Sequence, residues 1–189
     1  MSKAHACMYA ECGVVQSGCS AWRKGAIPMD KLYENSETGC CPRFNPEPWD
    51  GKEVTFKDKL FLKEHIRTFL HIPLGFGKAM VKTTEKIKAA DALPPQPLML
   101  YDDTSLWGAD LYIAVSRDVP GAKMEKISGD FLSKVFEGPF KDAGKWLKEM
   151  NTYVRSKGKE PKRVYFFYTT CPACAKVYGK NYTVTLARV

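Results

Sequence analysis

Residues 127–154 constrain the fold more than any other stretch of this 189-residue chain. Phe131 to Glu137 is dense in aromatic and β-branched residues, as a half-buried strand requires. Gly138-Pro139 then breaks it, because glycine permits an unusual φ and proline suits a first helical turn. Phe140, Ala143, Leu147, Met150 and Val154 follow at spacings of three and four, which puts them on one helical face. Lys141, Asp142, Lys145, Lys148 and Glu149 fall mostly on the other. The stretch is predicted as strand, sharp turn and helix.

The remainder is predicted to repeat this plan. Lys57 to Ile66 reads equally as strand or helix, and Arg67 to Ile72 as a strand ending at Pro73-Leu74-Gly75. Phe76, Met80, Thr83 or Thr84, Ile87 and Ala90 or Asp91 then mark a helical face, stopped by Pro94-Pro95. Leu98 to Tyr101 and Trp107 to Arg117 are two further strands. The second alternates, with Trp107, Ala109, Leu111, Ile113 and Val115 on one face and Gly108, Asp110, Tyr112 and Ala114 on the other. Asp118–Lys126 is a connector. After the helix at 140–154, Arg163 to Tyr168 and Asn181 to Val189 read as strands flanking a loop or short helical turn. From Arg67 the order is β-α-β-β twice over, an internal repeat. The fold class is α+β: a duplicated β-α-β-β with a mostly antiparallel sheet, two helices on one face and a ligand cleft between the halves.

Phe-Glu-Gly-Pro-Phe at 136–140, followed by a helix containing Lys145-Trp146-Leu147, resembles the second half of GyrI-like small-molecule-binding domains. There a strand ends in a Gly-Pro-aromatic turn and feeds a helix carrying a Trp-Leu pair. The resemblance covers residues 65–189 and implies a cleft for a flat, hydrophobic or cationic small molecule. It further implies either a stand-alone hydrolase or a binding protein. No helix-turn-helix segment is present to make a regulator. On this reading residues 61–189 form the domain, and residues 1–60 are an irregular cysteine-rich arm packed on it, with a short helix near 29–35 and Trp22, Phe44 and Trp49 as docking residues. Glu137 would orient or deprotonate a water and Tyr112 would polarise the substrate. Trp107, Tyr101, Tyr165, Tyr168 and Phe136 would line the cleft.

Composition narrows the partners. The net charge of +8 lies wholly in residues 141–189, with eleven Lys/Arg against three Asp/Glu. The basic run Arg155–Arg163 has no interleaved aromatics, so it reads as a solvated loop and not a nucleic-acid surface. No apolar run approaches the roughly 20 residues of a membrane span, and the N-terminus lacks a secretory core. A cytoplasmic protein with no membrane partner is expected, and a homodimer is compatible with the sequence. His71, before Pro73, reads as a structural histidine. No Ser-His-Asp pattern, phosphate loop or dinucleotide fingerprint is present.

Seven cysteines are an odd number for a disulfide framework. Cys171-Pro-Ala-Cys174 follows a strand, as in a thioredoxin-type active site, but too little chain follows to build that fold. Three readings stay open: a turn with free thiols, a metal site, or thiol redox chemistry. For a metal, Cys171 and Cys174 would be joined by Cys40 and Cys41, or by two of Cys7, Cys12 and Cys19, giving zinc four ligands and a zinc-stabilised interaction protein as the alternative function. The domain itself requires no cofactor.

Overall fold

The computed structural model describes residues 37–38, 41–94 and 98–189. The predicted helix at 29–35, the docking of Trp22 and the ligand Cys40 lie outside these residues. The elements run β1 (Glu53–Phe69), β2 (Ile72–Pro73), α1 (Phe76–Ala89), β3 (Met99–Ser105), β4 (Gly108–Ala114), β5 (Lys123–Glu137), a 3-10 turn (Phe140–Asp142), α2 (Ala143–Ser156), β6 (Arg163–Tyr168), α3 (Pro172–Tyr178) and β7 (Tyr182–Arg188).

The sheet is antiparallel throughout and closes on itself. Its order is β2-β1-β4-β3-β6-β7-β5, and β5 returns to pair with β1, giving a six-stranded barrel with β2 as an appended edge. Closure depends on the 17-residue length of β1. Its second half pairs with β4, from Phe61↔Ala114 to Arg67↔Gly108, while Glu53 to Lys63 pair with β5. A bulge between Phe56 and Lys59, with Asp58 at φ 45°, bends the strand between these partners. The sequence reading missed this closure. It also began β5 at Phe131, because the polar start of the strand at Lys123–Lys126 does not look like one.

Alternation along each strand now separates inside from outside. Phe61, Tyr112, Phe131, Tyr165, Phe167 and Leu186 pack together in the barrel interior, all 2% exposed or less. Each such side chain contributes about 1.5–3 kcal/mol through burial. The outward set on the same strands carries the helices. Met80 of α1 and Trp146 of α2 meet Tyr101, Ala109, Leu111, Phe136 and Phe166 in one cluster. α1 buries Met80, Thr83 and Ile87, in line with its predicted face. α2 buries Trp146, Met150 and Val154. Leu147, expected on the buried face, is 37% exposed, and Trp146 takes its place, stacked on Phe136 at 5.9 Å. No helix among the described residues is long and apolar enough to cross a membrane.

Candidate functional site

The outer face beneath the two helices is lined by aromatic rings. Tyr101 and Phe166 are register partners on β3 and β6 and form its floor. Tyr168 stacks on Phe166 at 6.0 Å, lies 5.8 Å from Tyr101, and meets Phe140 edge-on at 5.3 Å. Phe76, Phe140 and Tyr168 are half-buried and form a rim open to solvent. Among the described residues the Tyr101 hydroxyl is buried without a hydrogen-bond partner. Burial, aided by the Asp103 carboxylate, pushes its pKa up to about 12, and burial raises Tyr168 as well. Both phenols therefore stay protonated at neutral pH and can donate a hydrogen bond. Phe136, Phe166 and Trp146 pack in one buried cluster with Met80 of α1.

At one end of this face lies a histidine–carboxylate pair. His71 Nδ1 is 2.6 Å from Asp103 Oδ2. Asp103 follows Tyr101 by two residues and so shares its side of β3. His71 occupies a two-residue loop between β1 and β2, where Phe69 pairs with Ile72. Leu70 has φ 49° and His71 φ 67°. Two successive positive φ values are the type I′ pattern, which favours Asn-Gly. Leu-His there is a strained backbone that places an imidazole at the rim. Sequence reasoning gave His71 a structural role and did not single out Asp103. The one local signal was the Leu-His pair closing a tight hairpin without glycine.

The residues expected to line a single cleft are divided. Tyr101, Phe136 and Tyr168 share the outer face. Trp107 sits at the β3–β4 hairpin tip, 60% exposed, against Phe69. Tyr112 and Tyr165 point into the barrel, with their rings 5.8 Å apart. Tyr112 is wholly buried, and its hydroxyl accepts a 2.9 Å hydrogen bond from Lys63 Nζ. Glu137 ends β5 at the surface, 3.9 Å from Lys180, lining a cavity of about 240 Å³ with Gly138, Pro139, Ala175 and Asn181. The predicted Glu137–Tyr112 partnership is therefore corrected: one side chain faces solvent and the other faces the barrel interior. Strand alternation predicts two faces but not which one turns inward.

Around the Tyr112 hydroxyl, the barrel's end is closed by charge. Lys63 bridges Asp110 at 2.9 Å and Glu125 at 3.3 Å, His65 Nδ1 lies 2.9 Å from Asp110, and Arg163 pairs with Asp102. Burial works against ionised Asp110, yet hydrogen bonds from His65 and Lys63 hold its pKa below the usual carboxylate range. These groups satisfy one another and form a structural plug.

The third cluster is of thiols. Cys41, Cys171 and Cys174 bring their sulfurs within 4.8 Å of one another. Cys171 caps α3, its sulfur accepting from Cys174 N–H at 3.5 Å. Tyr178 donates to the Cys41 carbonyl, and Thr38 Oγ1 lies 3.2 Å from Cys174 Sγ. Burial opposes the Cys174 thiolate, but hydrogen bonds from Thr38 and around Cys41 outweigh it and lower the pKa to about 7. Such a set of sulfurs could hold a soft metal ion.

The sequence pattern of the bacterial hydrolase family matches residues 31–189. Among solved structures, the chain is similar to a hydrolase from Listeria innocua at 13% identity and TM-score 0.52, over 74% of this chain and 92% of that one. A second Listeria innocua structure described as a hydrolase matches at 14% identity and TM-score 0.50, over 72% and 90%. An uncharacterized conserved protein of the same organism matches at 12% identity and TM-score 0.52, over 72% and 90%. At such identities the likeness is one of fold. No curated protein matches the chain.

Proposed function

Because the chain belongs to the bacterial hydrolase family, we propose that it hydrolyses a flat, hydrophobic small molecule laid against the outer aromatic face, with His71 as the general base. The His71–Asp103 pair beside the partnerless Tyr101 hydroxyl carries this reading. Nδ1–H of His71 donates to Asp103, which fixes the ring and leaves Nε2 to take a proton from water. The water oxygen bonds to the electrophilic carbon, the bond to the leaving group breaks, and His71 returns the proton to the departing atom. Tyr101 or Tyr168 donates to the oxygen on which charge develops. Phe140, Phe76 and Tyr168 supply the stacking surface. The succession β1-α1-β3-β4 then β5-α2-β6-β7, setting aside the short β2 and α3, supports the duplicated plan and the GyrI-like reading. A ligand entering between the helices would displace the half-buried rim.

Turnover of a panel of hydrophobic aryl esters and strained-ring electrophiles tests the assignment. His71→Ala and Asp103→Asn should each lower kcat about 10²-fold or more while leaving Tm near the parent value. Full turnover in His71→Ala would refute it.

A second reading is carried by the thiol cluster: Cys41, Cys171 and Cys174 supply three of the four ligands of a structural zinc. Sulfurs on a tetrahedral zinc stand roughly 3.8 Å apart, so the observed cluster needs only slight contraction. The ion would tie the segment at Cys41 to α3 and stabilise the fold without entering the reaction. Elemental analysis should give about one zinc per chain, and chelation should lower Tm. Metal-free protein of unchanged Tm would refute this.

A further inference from the structure

Six large apolar side chains project from two neighbouring hairpin tips. Phe69, Leu70, Ile72 and Leu74 lie at the β1–β2 turn, and Leu106 and Trp107 at the β3–β4 turn, with exposures from 44% to 64%. The tips are joined. Thr68 N–H donates to the Trp107 carbonyl at 3.0 Å and His71 N–H to the Leu106 carbonyl at 3.3 Å, while the Phe69 and Trp107 rings lie 5.7 Å apart. An apolar patch of this kind on an otherwise charged surface marks an interaction site.

Charge around the patch identifies the partner. No acidic residue occurs between Glu64 and Glu85, a span that holds the exposed cations Arg67, Lys78 and Lys82. On the facing hairpin Asp102 pairs with Arg163 and Asp110 with Lys63 and His65, while Asp103, held by the His71 Nδ1–H, keeps its negative charge. Arg67 on β1 and Lys78 and Lys82 on α1 outnumber it, so the segment that carries the apolar tip is net basic. A second copy of the chain would set like-charged segments against each other. An anionic bilayer offers an apolar interior and a negatively charged rim together. Tryptophan beside aliphatic side chains also suits the headgroup boundary. We infer that the paired hairpin tips dock on anionic phospholipid membranes, Phe69, Ile72, Leu74 and Trp107 entering the headgroup layer and Arg67, Lys78 and Lys82 meeting its phosphates. The expectation of no membrane partner rested on the absence of a spanning run and does not bear on surface docking. This inference stands independently of the hydrolytic reading.

Co-sedimentation of the full chain with phosphatidylcholine vesicles, with and without phosphatidylserine, tests it. Indole fluorescence adds a local readout in a Trp22→Phe background, because Trp49 and Trp146 are only 1% and 4% exposed. Binding is expected with phosphatidylserine, weakened by salt and accompanied by a blue shift of Trp107 emission. Ile72→Asp with Leu74→Asp should weaken binding roughly tenfold or more. Val177→Asp, at an exposed apolar residue outside the tips, should not. Unchanged far-UV circular dichroism in every variant keeps the comparison one of surface. Absence of binding to phosphatidylserine vesicles, or binding unaffected by the tip variants, overturns the inference. So does a concentration-dependent dimer, abolished by those variants, in protein that ignores vesicles.

Discussion

The Leu70-His71 loop exchanges stability for position. A left-handed conformation costs a residue with a Cβ about 1–2 kcal/mol, and two consecutive residues adopt it, at φ 49° and 67°. Replacing the pair by Asn-Gly relieves most of that strain, because this dipeptide favours the loop's own geometry. Three losses oppose the gain. The His71–Asp103 ion pair disappears, but His71 is 53% exposed and such pairs contribute about 0–1 kcal/mol. Glycine adds unfolded-state entropy worth about 0.5–1 kcal/mol. Leu70 is already half in solvent, so little apolar contact is lost. The net expectation is a gain of about 1 kcal/mol, or a rise of about 2–4 °C in Tm for a domain of this size. Urea titration should show a higher midpoint with an unchanged slope. Hydrolytic turnover should fall about 10²-fold in the same variant. A double variant less stable than the parent would refute the strain argument. One that kept its turnover would refute the role of His71.

Trp146→Ala should destabilise the protein by about 3–5 kcal/mol in urea titration, because it empties the cluster joining α1 and α2. Tyr112→Phe should cost about 1 kcal/mol and leave turnover unchanged, since it removes only the hydroxyl that Lys63 donates to. In metal-free protein, the alkylation rate of Cys174 should rise with a midpoint near pH 7, and Thr38→Val should raise that midpoint. The sign for stability follows from the lowered folded pKa: the thiolate's contribution is full above the ordinary thiol pKa and is lost as pH falls through about 7. Denaturant midpoints at pH 9 and pH 6 check it.

What could be read in advance was local. The apolar spacing in α1 gave Met80, Thr83 and Ile87, and Gly138-Pro139 marked the end of β5. Leu147 and Trp146 are separated by only one helical step, so composition alone favoured the wrong neighbour. Both faces of β4 are buried, one by the barrel interior and one by the helices, so its alternation carried no mark of direction. That is why Tyr112 read as a cleft residue. Barrel closure pairs residues 53–63 with 123–132, a contact that no local pattern encodes. The His71–Asp103 pair likewise joins two hairpin tips. Cys171 and Cys174 were legible as a pair from their spacing and Cys41 was named with them, but the approach of the three sulfurs to within 4.8 Å is a long-range contact that only the fold shows.

The position of β7 governs how the chain can be made. It is the last strand in sequence, yet it lies between β6 and β5, and its Val184 and Leu186 are wholly enclosed. Until it emerges from the ribosome, β5 and β6 each keep a bare hydrogen-bonding edge, and the aromatic interior stands open along one seam. The nascent chain cannot complete a stable half and wait for the rest. Without β7 the β1–β5 pairing leaves the barrel open along that seam. An unfinished barrel of this kind exposes strand edges and apolar interior together, the combination that makes a partly folded chain prone to aggregate.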